Sequence, residues 1–291
     1  MSRVESMSLR ARINRLARRE GISPQLALQG FFIERFLARI EKSEYAGNLV
    51  IKGGTLMCSI LGLRERTTMD IDTTLVGLRG DEGTVERIVE AVAAVDAGDG
   101  VVFRRSPARA ESIAKDDEYG GWSIGLTAEF GTIHLPIGID VTYGDAMTPG
   151  AVSREFAGVL DGNLRIRLLA YAPETLMAEK VQSILKRGVA TTRPRDFYDL
   201  HMLCRRGEYD AALFAKALAA TMANRHSEEY LARWRETLDA VAESDFQKRQ
   251  WERYQKKMPY ARGIAFADLV RSVVQLMEEA AARRDAGKRE A

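Results

Sequence analysis

The chain has few of the residues that typify secreted or zinc-stabilised proteins. Its 291 residues include two cysteines and three histidines. Cys58 and Cys204 lie far apart and outside any partner motif, so the sequence supports neither a disulfide framework nor a zinc site. His134, His201 and His226 share no metal-ligand spacing. No serine or cysteine has a recognisable nucleophile context, and nucleophilic enzyme catalysis is therefore unsupported.

Long apolar runs are lacking too. The N-terminus is basic but has no apolar segment of signal-peptide length, and no later run is long and apolar enough to span a membrane. We therefore expect neither export nor a membrane partner, and the two isolated cysteines fit a reducing cytoplasm. The basic residues of the N-terminus are Arg3, Arg10, Arg12, Arg15, Arg18 and Arg19.

The net charge is only +2, but the basic residues are unevenly distributed. Two segments, named here the first and second basic stripes, each carry six Lys or Arg, against two acids and one acid respectively. Such stripes suit a phosphate backbone and, with aromatics, exposed bases, although the second is equally typical of a solvated helix face. The first comprises Lys186, Arg187, Arg193, Arg195, Arg205 and Arg206, and the second Lys248, Arg249, Arg253, Lys256, Lys257 and Arg262, with Trp251, Tyr254 and Tyr260 interleaved.

The hydrophobic content of 46% is sufficient for a sizeable core in one large domain or two lobes. Helical periodicity begins at residue 8 and again after Ser23-Pro24, while residues 49–51 and 70–76 have strand character. Strict alternation over residues 121–143 predicts a hairpin that turns near Gly131. After residue 150 the pattern is largely helical, over 173–187, 195–206, 211–222, 228–242 and 266–284. We predict an α+β fold, with N-terminal helices and a mixed sheet in residues 1–160 and a helical C-terminal lobe in residues 161–291.

Residues 52 to 72 form the most informative segment. A short strand leads into Gly53-Gly54-Thr55, and such a turn at the start of a helix presents backbone N–H groups to an anion. Asp70 and Asp72 alternate on the next strand, so their carboxylates point the same way. Because a triphosphate requires both a positive pocket and divalent cations held by oxygen ligands, this combination indicates nucleotidyl transfer.

Asp140 adds a third carboxylate from an Ile-Asp-Val strand. Three carboxylates on adjacent strands predict a site for one or two Mg²⁺ ions shared with the triphosphate. Asp140 would orient the attacking hydroxyl, and pyrophosphate would leave in line. A lone Asp-x-Asp pair is a weak signal, since such pairs also satisfy turns at strand ends. The preceding Gly-Gly-Thr and the later aspartate make it much more specific.

These motifs resemble the AbiEii-type nucleotidyltransferases, the toxin components of bacterial type IV toxin–antitoxin and abortive-infection systems within the DNA polymerase β-like superfamily. Downstream, Ala178-Glu179-Lys180, followed by Arg187 and by Arg-Pro-Arg-Asp-Phe-Tyr-Asp-Leu at 193–200, is similar to the family's second signature. The resemblance covers about residues 53 to 200. It implies a nucleotidyltransferase-like sheet for the fold.

By this resemblance, Gly53, Gly54 and Thr55 match the phosphate-binding turn. Asp70 and Asp72 match the metal-ligand pair. Asp140 matches the third carboxylate, within a shorter pattern.

The resemblance also assigns residues outside that turn. Lys180 matches the lysine that holds the nucleotide phosphates, and Asp196 the acidic residue of the second signature. Two structural alternatives stay open. In one, Glu179, Lys180 and Lys186 form a solvated helix face. In the other, Arg195, Asp196 and Asp199 form an ion-pair cluster that connects two helices. Arg66 either contacts phosphate or braces the loop before Asp70.

The implied activity is a Mg²⁺-dependent transfer of a nucleoside monophosphate from a nucleoside triphosphate to an acceptor hydroxyl. The resemblance implies the 3′ end of tRNA as the acceptor, which would block translation, and a cognate antitoxin as a partner. Two rival functions remain: the same chemistry on a small-molecule or protein hydroxyl, and a nucleotide-binding module without turnover. The preferred base is not encoded in any short motif.

Overall fold

The computed structural model describes residues 3–106, 110–113 and 120–290, and the side chains of residues 5–106, 110–113 and 120–283. The chain divides into two compact units. Unit 1 comprises Met1–Asp145 and Val152–Ala170, and unit 2 comprises Ala146–Ala151 and Tyr171–Ala291. The boundary expected between residues 160 and 161 stays a prediction about domains.

Unit 1 has four helices and eight strands within its described residues. They follow in the order α1 (Arg3–Glu20), α2 (Pro24–Lys42), β1 (Leu49–Ile51), α3 (Gly53–Leu61), β2 (Asp70–Leu75), α4 (Glu82–Ala94), β3 (Val102–Arg105), β4 (Glu111–Ser112), β5 (Gly121–Phe130), β6 (Ile133–Tyr143), β7 (Val152–Ala157) and β8 (Arg165–Ala170).

The eight strands form one mixed sheet. Its order is β3-β5-β6-β2-β1-β8-β7, and β4 pairs with β5 outside this path. β2 runs parallel to β6 and β1 parallel to β8, whereas the other pairs are antiparallel. β5 and β6 form the hairpin that the alternation predicted, and Gly131 at its turn has φ 58°, which favours glycine. The predicted α+β class is confirmed.

The centre of the sheet has one apolar and one polar face. α2 contacts β6 and β8, and α4 contacts β3 and β5, so these helices cover the apolar face. Phe36 of α2 meets Phe103 of β3 edge to face at 5.2 Å between ring centroids. Since side chains alternate along a strand, the polar residues of β2 and β6 point the other way. The buried side chains of the apolar face include Ile71, Ile124, Leu126, Ile137, Ile139 and Val141.

Strands β7 and β8 were not predicted, because the chain after residue 150 was expected to be helical. In β8, buried Ile166, Leu168 and Ala170 alternate with Arg165 and Arg167. This period of two indicates a half-buried strand, and it was readable from the sequence. The chain therefore returns to the sheet of unit 1 after residue 151.

Unit 2 is helical, as predicted for the C-terminal lobe. Its helices are α5 (Pro173–Arg187), α6 (Pro194–Arg206), α7 (Ala211–Asn224), α8 (Glu228–Ala232), α9 (Trp234–Glu243), α10 (Asp245–Lys257) and α11 (Phe266–Glu290). The helix expected over 228–242 is divided into α8 and α9. α10 was read only as a basic stripe, because few apolar residues mark its buried side.

Candidate active site

The turn between β1 and α3 requires glycine for two reasons. Gly53 has φ 53°, in the left-handed region that side chains disfavour. A Cβ atom at Gly53 would also lie 2.5 Å from Cγ of Asp72. A Cβ atom at Gly54 would lie 2.6 Å from Oγ1 of Thr68. The two glycines therefore let the start of α3 lie directly against β2 and the loop before it.

The carboxylate of Asp72 lies on this turn. Its Oδ2 accepts a hydrogen bond from the backbone N–H of Gly54 at 2.7 Å. The first N–H groups of a helix lack partners within the helix, and negative charge is favoured at that end. A carboxylate of the protein itself therefore accepts this N–H, and phosphate binding by the turn stays a prediction.

Thr55 connects the turn to β2 through its hydroxyl. The Thr55 Oγ1 donates to the carbonyl of Asp70 at 3.0 Å and accepts from the backbone N–H of Asp72 at 3.3 Å. The side chain is buried. Its contacts hold α3 and the Asp70–Asp72 segment in register, which is a positioning role. Direct phosphate contact by Thr55 stays a prediction.

Asp72 and Asp140 are neighbours across the sheet. β2 and β6 are parallel, with Asp70 opposite Gly138 and Asp72 opposite Asp140. Register partners on adjacent strands point to the same face, with about 4.8 Å between strand axes. Asp70 leans towards β6, since a Cβ atom at Gly138 would lie 2.6 Å from its Oδ1. The side chains of all three aspartates belong to the polar face, as the sequence predicted.

The three carboxylates do not form a ready cation cage. Within the described residues, no group of three or more His, Cys, Asp or Glu side chains is arranged to hold a metal ion. The physical reason is divergence: Asp70 leans over Gly138 of β6, whereas Asp72 is turned towards Gly54. Their carboxylate oxygens are the ligands that Mg²⁺ prefers, so the donor chemistry fits a hard divalent cation. The metal assignment remains a prediction.

A buried lysine next to the glycines was missed by the sequence analysis. The Nζ of Lys52 lies 2.7 Å from Oδ2 of Asp145. The same Oδ2 accepts from the hydroxyls of Thr74 and Thr142 at 2.7 and 2.6 Å. These four residues are named here the Lys52 cluster. Thr74 and Thr142 follow Asp72 and Asp140 by two positions, so the cluster continues the same polar face.

The contacts of Arg66 favour the alternative in which it braces the loop before Asp70. Its side chain is buried, and its guanidinium donates to the backbone carbonyl of Thr67. Its own carbonyl accepts from the Cys58 thiol at 3.1 Å. These contacts connect the loop before β2 to α3. A phosphate contact by Arg66 stays a prediction.

In unit 2, Lys180 is enclosed by two aspartates. Its Nζ lies 2.8 Å from Oδ1 of Asp196 and 2.7 Å from Oδ2 of Asp199. Lys180 is 8% exposed, so the solvated-face alternative is wrong for this residue. An ion-pair cluster does join α5 and α6, as the other alternative held, but its cation is Lys180 and not Arg195, which is exposed. These three residues are named here the Lys180 cluster.

The two basic stripes present their cations to solvent. All twelve Lys and Arg side chains are exposed. The aromatics of the second stripe lie inside unit 2, where Trp251 stacks on Tyr254 at 5.5 Å and packs against Tyr198. Trp251 is 2% exposed, so it is a core residue and no platform for a base.

Burial shifts the pKa of two further side chains, Cys204 and His201. Burial raises the pKa of Cys204 to about 11, so its thiol is protonated at neutral pH. Burial also lowers the pKa of His201, whose Nδ1 lies 2.8 Å from Oγ of Ser272.

None of the described helices combines the length and apolar character that crossing a bilayer requires.

The chain matches one family model and is similar to several solved structures. The family model described as "Nucleotidyl transferase AbiEii toxin, Type IV TA system" matches residues 35–272. No curated protein matches significantly. Among solved structures, a nucleotidyltransferase candidate from H. pylori is 14% identical with TM-score 0.49, covering 93% of this chain and 99% of that one. JHP933 from Helicobacter pylori is 13% identical with TM-score 0.45, covering 90% and 94%. An antigenic nucleotidyltransferase-like protein from Paracoccidioides brasiliensis is 13% identical with TM-score 0.38, covering 71% and 93%.

Proposed function

The chain belongs to the AbiEii family of nucleotidyltransferase toxins of type IV toxin–antitoxin systems, and we propose that it transfers a nucleoside monophosphate to the 3′ end of tRNA with Mg²⁺ as cofactor. The observation that carries this proposal is the position of Asp72. It lies on the glycine turn and opposite Asp140 on the polar face of the sheet. The glycine turn and two neighbouring carboxylates thus lie together within one unit.

The proposed reaction is an in-line displacement at the α-phosphorus. The acceptor hydroxyl oxygen forms a bond to this phosphorus, and the bond to the bridging oxygen of the β-phosphate breaks. Pyrophosphate leaves with the electron pair. Asp140 orients the hydroxyl by accepting its hydrogen bond, and the proton passes to this carboxylate. The N–H groups of Gly53 and Gly54 bind phosphate oxygens once Asp72 turns away.

Mg²⁺, as one or two ions, would be held by Asp70, Asp72 and Asp140. When bound, it would polarise the phosphoryl oxygens and offset the charge of the triphosphate. Release of Asp72 from Gly54 N–H is the local rearrangement that this assignment requires. A phosphate oxygen would then take the place of Asp72 as the acceptor of the Gly54 N–H hydrogen bond.

Lys180 and Asp196 are proposed to take part in the same reaction. Lys180 serves as the counter-charge for nucleotide phosphates, and Asp196 with Asp199 holds its ammonium in place. The two carboxylates within 2.8 Å fix the position of the ammonium, and a phosphate would replace one of them as its partner. Arg66 and Thr55 act as positioning residues for the turn and for β2.

The tRNA acceptor and the antitoxin have separate support. Exposed cations of both basic stripes suit a phosphate backbone. Family membership implies an antitoxin partner and a nucleoside triphosphate substrate.

The test incubates the purified protein with total tRNA, Mg²⁺ and each α-³²P-labelled triphosphate in turn. We expect labelled tRNA with the wild type and none with Asp72→Asn. The matched control is Asp81→Asn, which removes a carboxylate from the N-cap of α4 and preserves capping. Transfer by this control should equal that of the wild type.

Label on protein or a small molecule would overturn the tRNA acceptor and support the rival enzyme. Equal transfer by Asp72→Asn and the wild type would overturn the site. Binding of triphosphate with no transfer to any acceptor would support the non-catalytic module.

A further inference from the structure

Helix α1 displays a row of arginines that the activity does not explain. Five arginines lie between residues 10 and 19, and the sequence from residue 6 to residue 19 contains no Asp or Glu. All five are exposed. The family match starts at residue 35, so α1 precedes the part of the chain that the family accounts for.

Four of these arginines form no ion pair with any acidic side chain that the structure describes. Of the five, only Arg19 forms an ion pair within the described residues, with Glu20 at 2.6 Å. Arg10, Arg12, Arg15 and Arg18 make no side-chain contact with a carboxylate in that part of the structure. These four are named here the α1 arginines. With about 100° and 1.5 Å per residue, they cover an arc of roughly 200° over about 12 Å of helix.

The opposite side of α1 is fixed to unit 1. Leu9, Ile13 and Leu16 are buried, and α1 packs against α2. The Ser6 hydroxyl donates to the carbonyl of Phe130 at 3.3 Å and accepts from the N–H of Thr132 at 3.1 Å. The helix is therefore held at both the core and the β5–β6 turn, and the arginines extend from a rigid support.

We propose that the α1 arginines bind the phosphodiester backbone of an RNA acceptor. This inference rests on the proposed function, because that reaction brings a polyanion to unit 1. Guanidinium groups bind phosphate oxygens in a bidentate manner, and every basic residue of this row is arginine. An anionic membrane is disfavoured, because an interfacial helix inserts its apolar face, and the apolar side of α1 is already buried.

The test compares the salt dependence of tRNA binding by the full chain and by R10Q/R12Q/R15Q/R18Q. Each phosphate contact contributes roughly 0.7–0.9 to the slope of log affinity against log salt concentration, so the slope should become shallower by about 3. Glutamine is a good helix former, and circular dichroism checks that folding is retained. The KM for tRNA should rise roughly 10- to 100-fold near 150 mM salt, with kcat at saturating tRNA unchanged.

Two matched variants distinguish the effect of the α1 arginines on the slope from the effect of total positive charge. R10K/R12K/R15K/R18K keeps the charge and should keep most of the slope. The control R79Q/R87Q/R104Q/R165Q removes four other exposed cations of unit 1, and its slope should change by less than about one.

The inference is overturned if the wild type transfers label to tRNA and the α1 variant binds with an unchanged slope. It is also overturned if the control loses as much slope as the α1 variant. Arginine-dependent binding to phosphatidylserine vesicles without an effect on tRNA would overturn it in favour of a membrane. Failure of the proposed function has a different signature, namely no label on tRNA with the wild type.

Discussion

Both units bury a lysine against aspartate, but the two clusters differ in charge balance and in polar support. In the Lys52 cluster, one carboxylate faces the ammonium and also accepts from two threonine hydroxyls. In the Lys180 cluster, two carboxylates face one ammonium. A buried carboxylate that keeps other donors tolerates loss of its cation better than two carboxylates left facing each other. The lysines should therefore differ in their contribution to stability.

The two clusters also differ in how readily their lysines can be identified from the sequence. Lys180 was found because its helix carries a family signature within a few residues of chain. Lys52 was missed because its partner Asp145 is 93 residues away. The sheet brings Thr74 and Thr142 to that carboxylate, and no short pattern encodes this register.

Of two glycine variants, Gly53→Ala and Gly62→Ala, the first should have the larger effect on activity. The new Cβ would lie 2.5 Å from Cγ of Asp72 and displace this carboxylate. We expect nucleotidyl transfer to fall roughly 10²-fold, as for other sub-ångström to ångström misplacements of reacting groups. The matched control is Gly62→Ala, which also has positive φ but nothing within 4 Å of its Cβ. Equal losses in both variants would mean that backbone strain, and not Asp72, is responsible.

Lys180→Met should have the largest effect on stability. Two buried carboxylates would lose their shared cation, at a cost of about 3–5 kcal/mol in the free energy of unfolding. Urea denaturation followed by circular dichroism measures this change. K180M/D196N/D199N should regain most of the loss, since no buried charge remains. An unchanged urea midpoint in Lys180→Met would contradict the buried cluster.

Lys52→Met should destabilise the protein less, by about 2–3 kcal/mol, because Thr74 and Thr142 still donate to Asp145. The same denaturation experiment gives the comparison directly. A loss as large as that of Lys180→Met would refute the proposed difference between the clusters. Asp145→Asn in the Lys52→Met background should recover stability.

Glu34→Gln should have the smallest effect on stability. Its carboxylate is buried and lies outside both lysine clusters. Burial raises the pKa of Glu34 above its usual 4.5. The folded state then keeps a proton that the unfolded state loses, so stability falls as pH rises from about 4.5 through the folded-state pKa. The substitution should raise the urea midpoint at neutral pH and leave it unchanged below that window. A lower midpoint at neutral pH would contradict this sign.

How much of the site can be predicted depends on how far apart along the chain the interacting residues lie. The Gly53-Gly54 turn, the polar side of Asp70 and Asp72, and the β5–β6 hairpin follow from local periodicity and turn chemistry. The occupation of Gly54 N–H by Asp72 could not be predicted, because it depends on how closely α3 approaches β2. The same holds for the Thr55 hydroxyl, whose partners are backbone atoms of another element.

We propose that Asp72 and Asp140, register partners on β2 and β6, carry the transfer together. This proposal is tested most directly by the rate of pyrophosphate release at saturating triphosphate and tRNA in Asp72→Asn, Asp140→Asn and the double variant. We predict that each single variant loses more than about 10³-fold, corresponding to several kcal/mol, and that the double variant is little worse because the two act as a unit. Near wild-type release by either single variant would contradict the account.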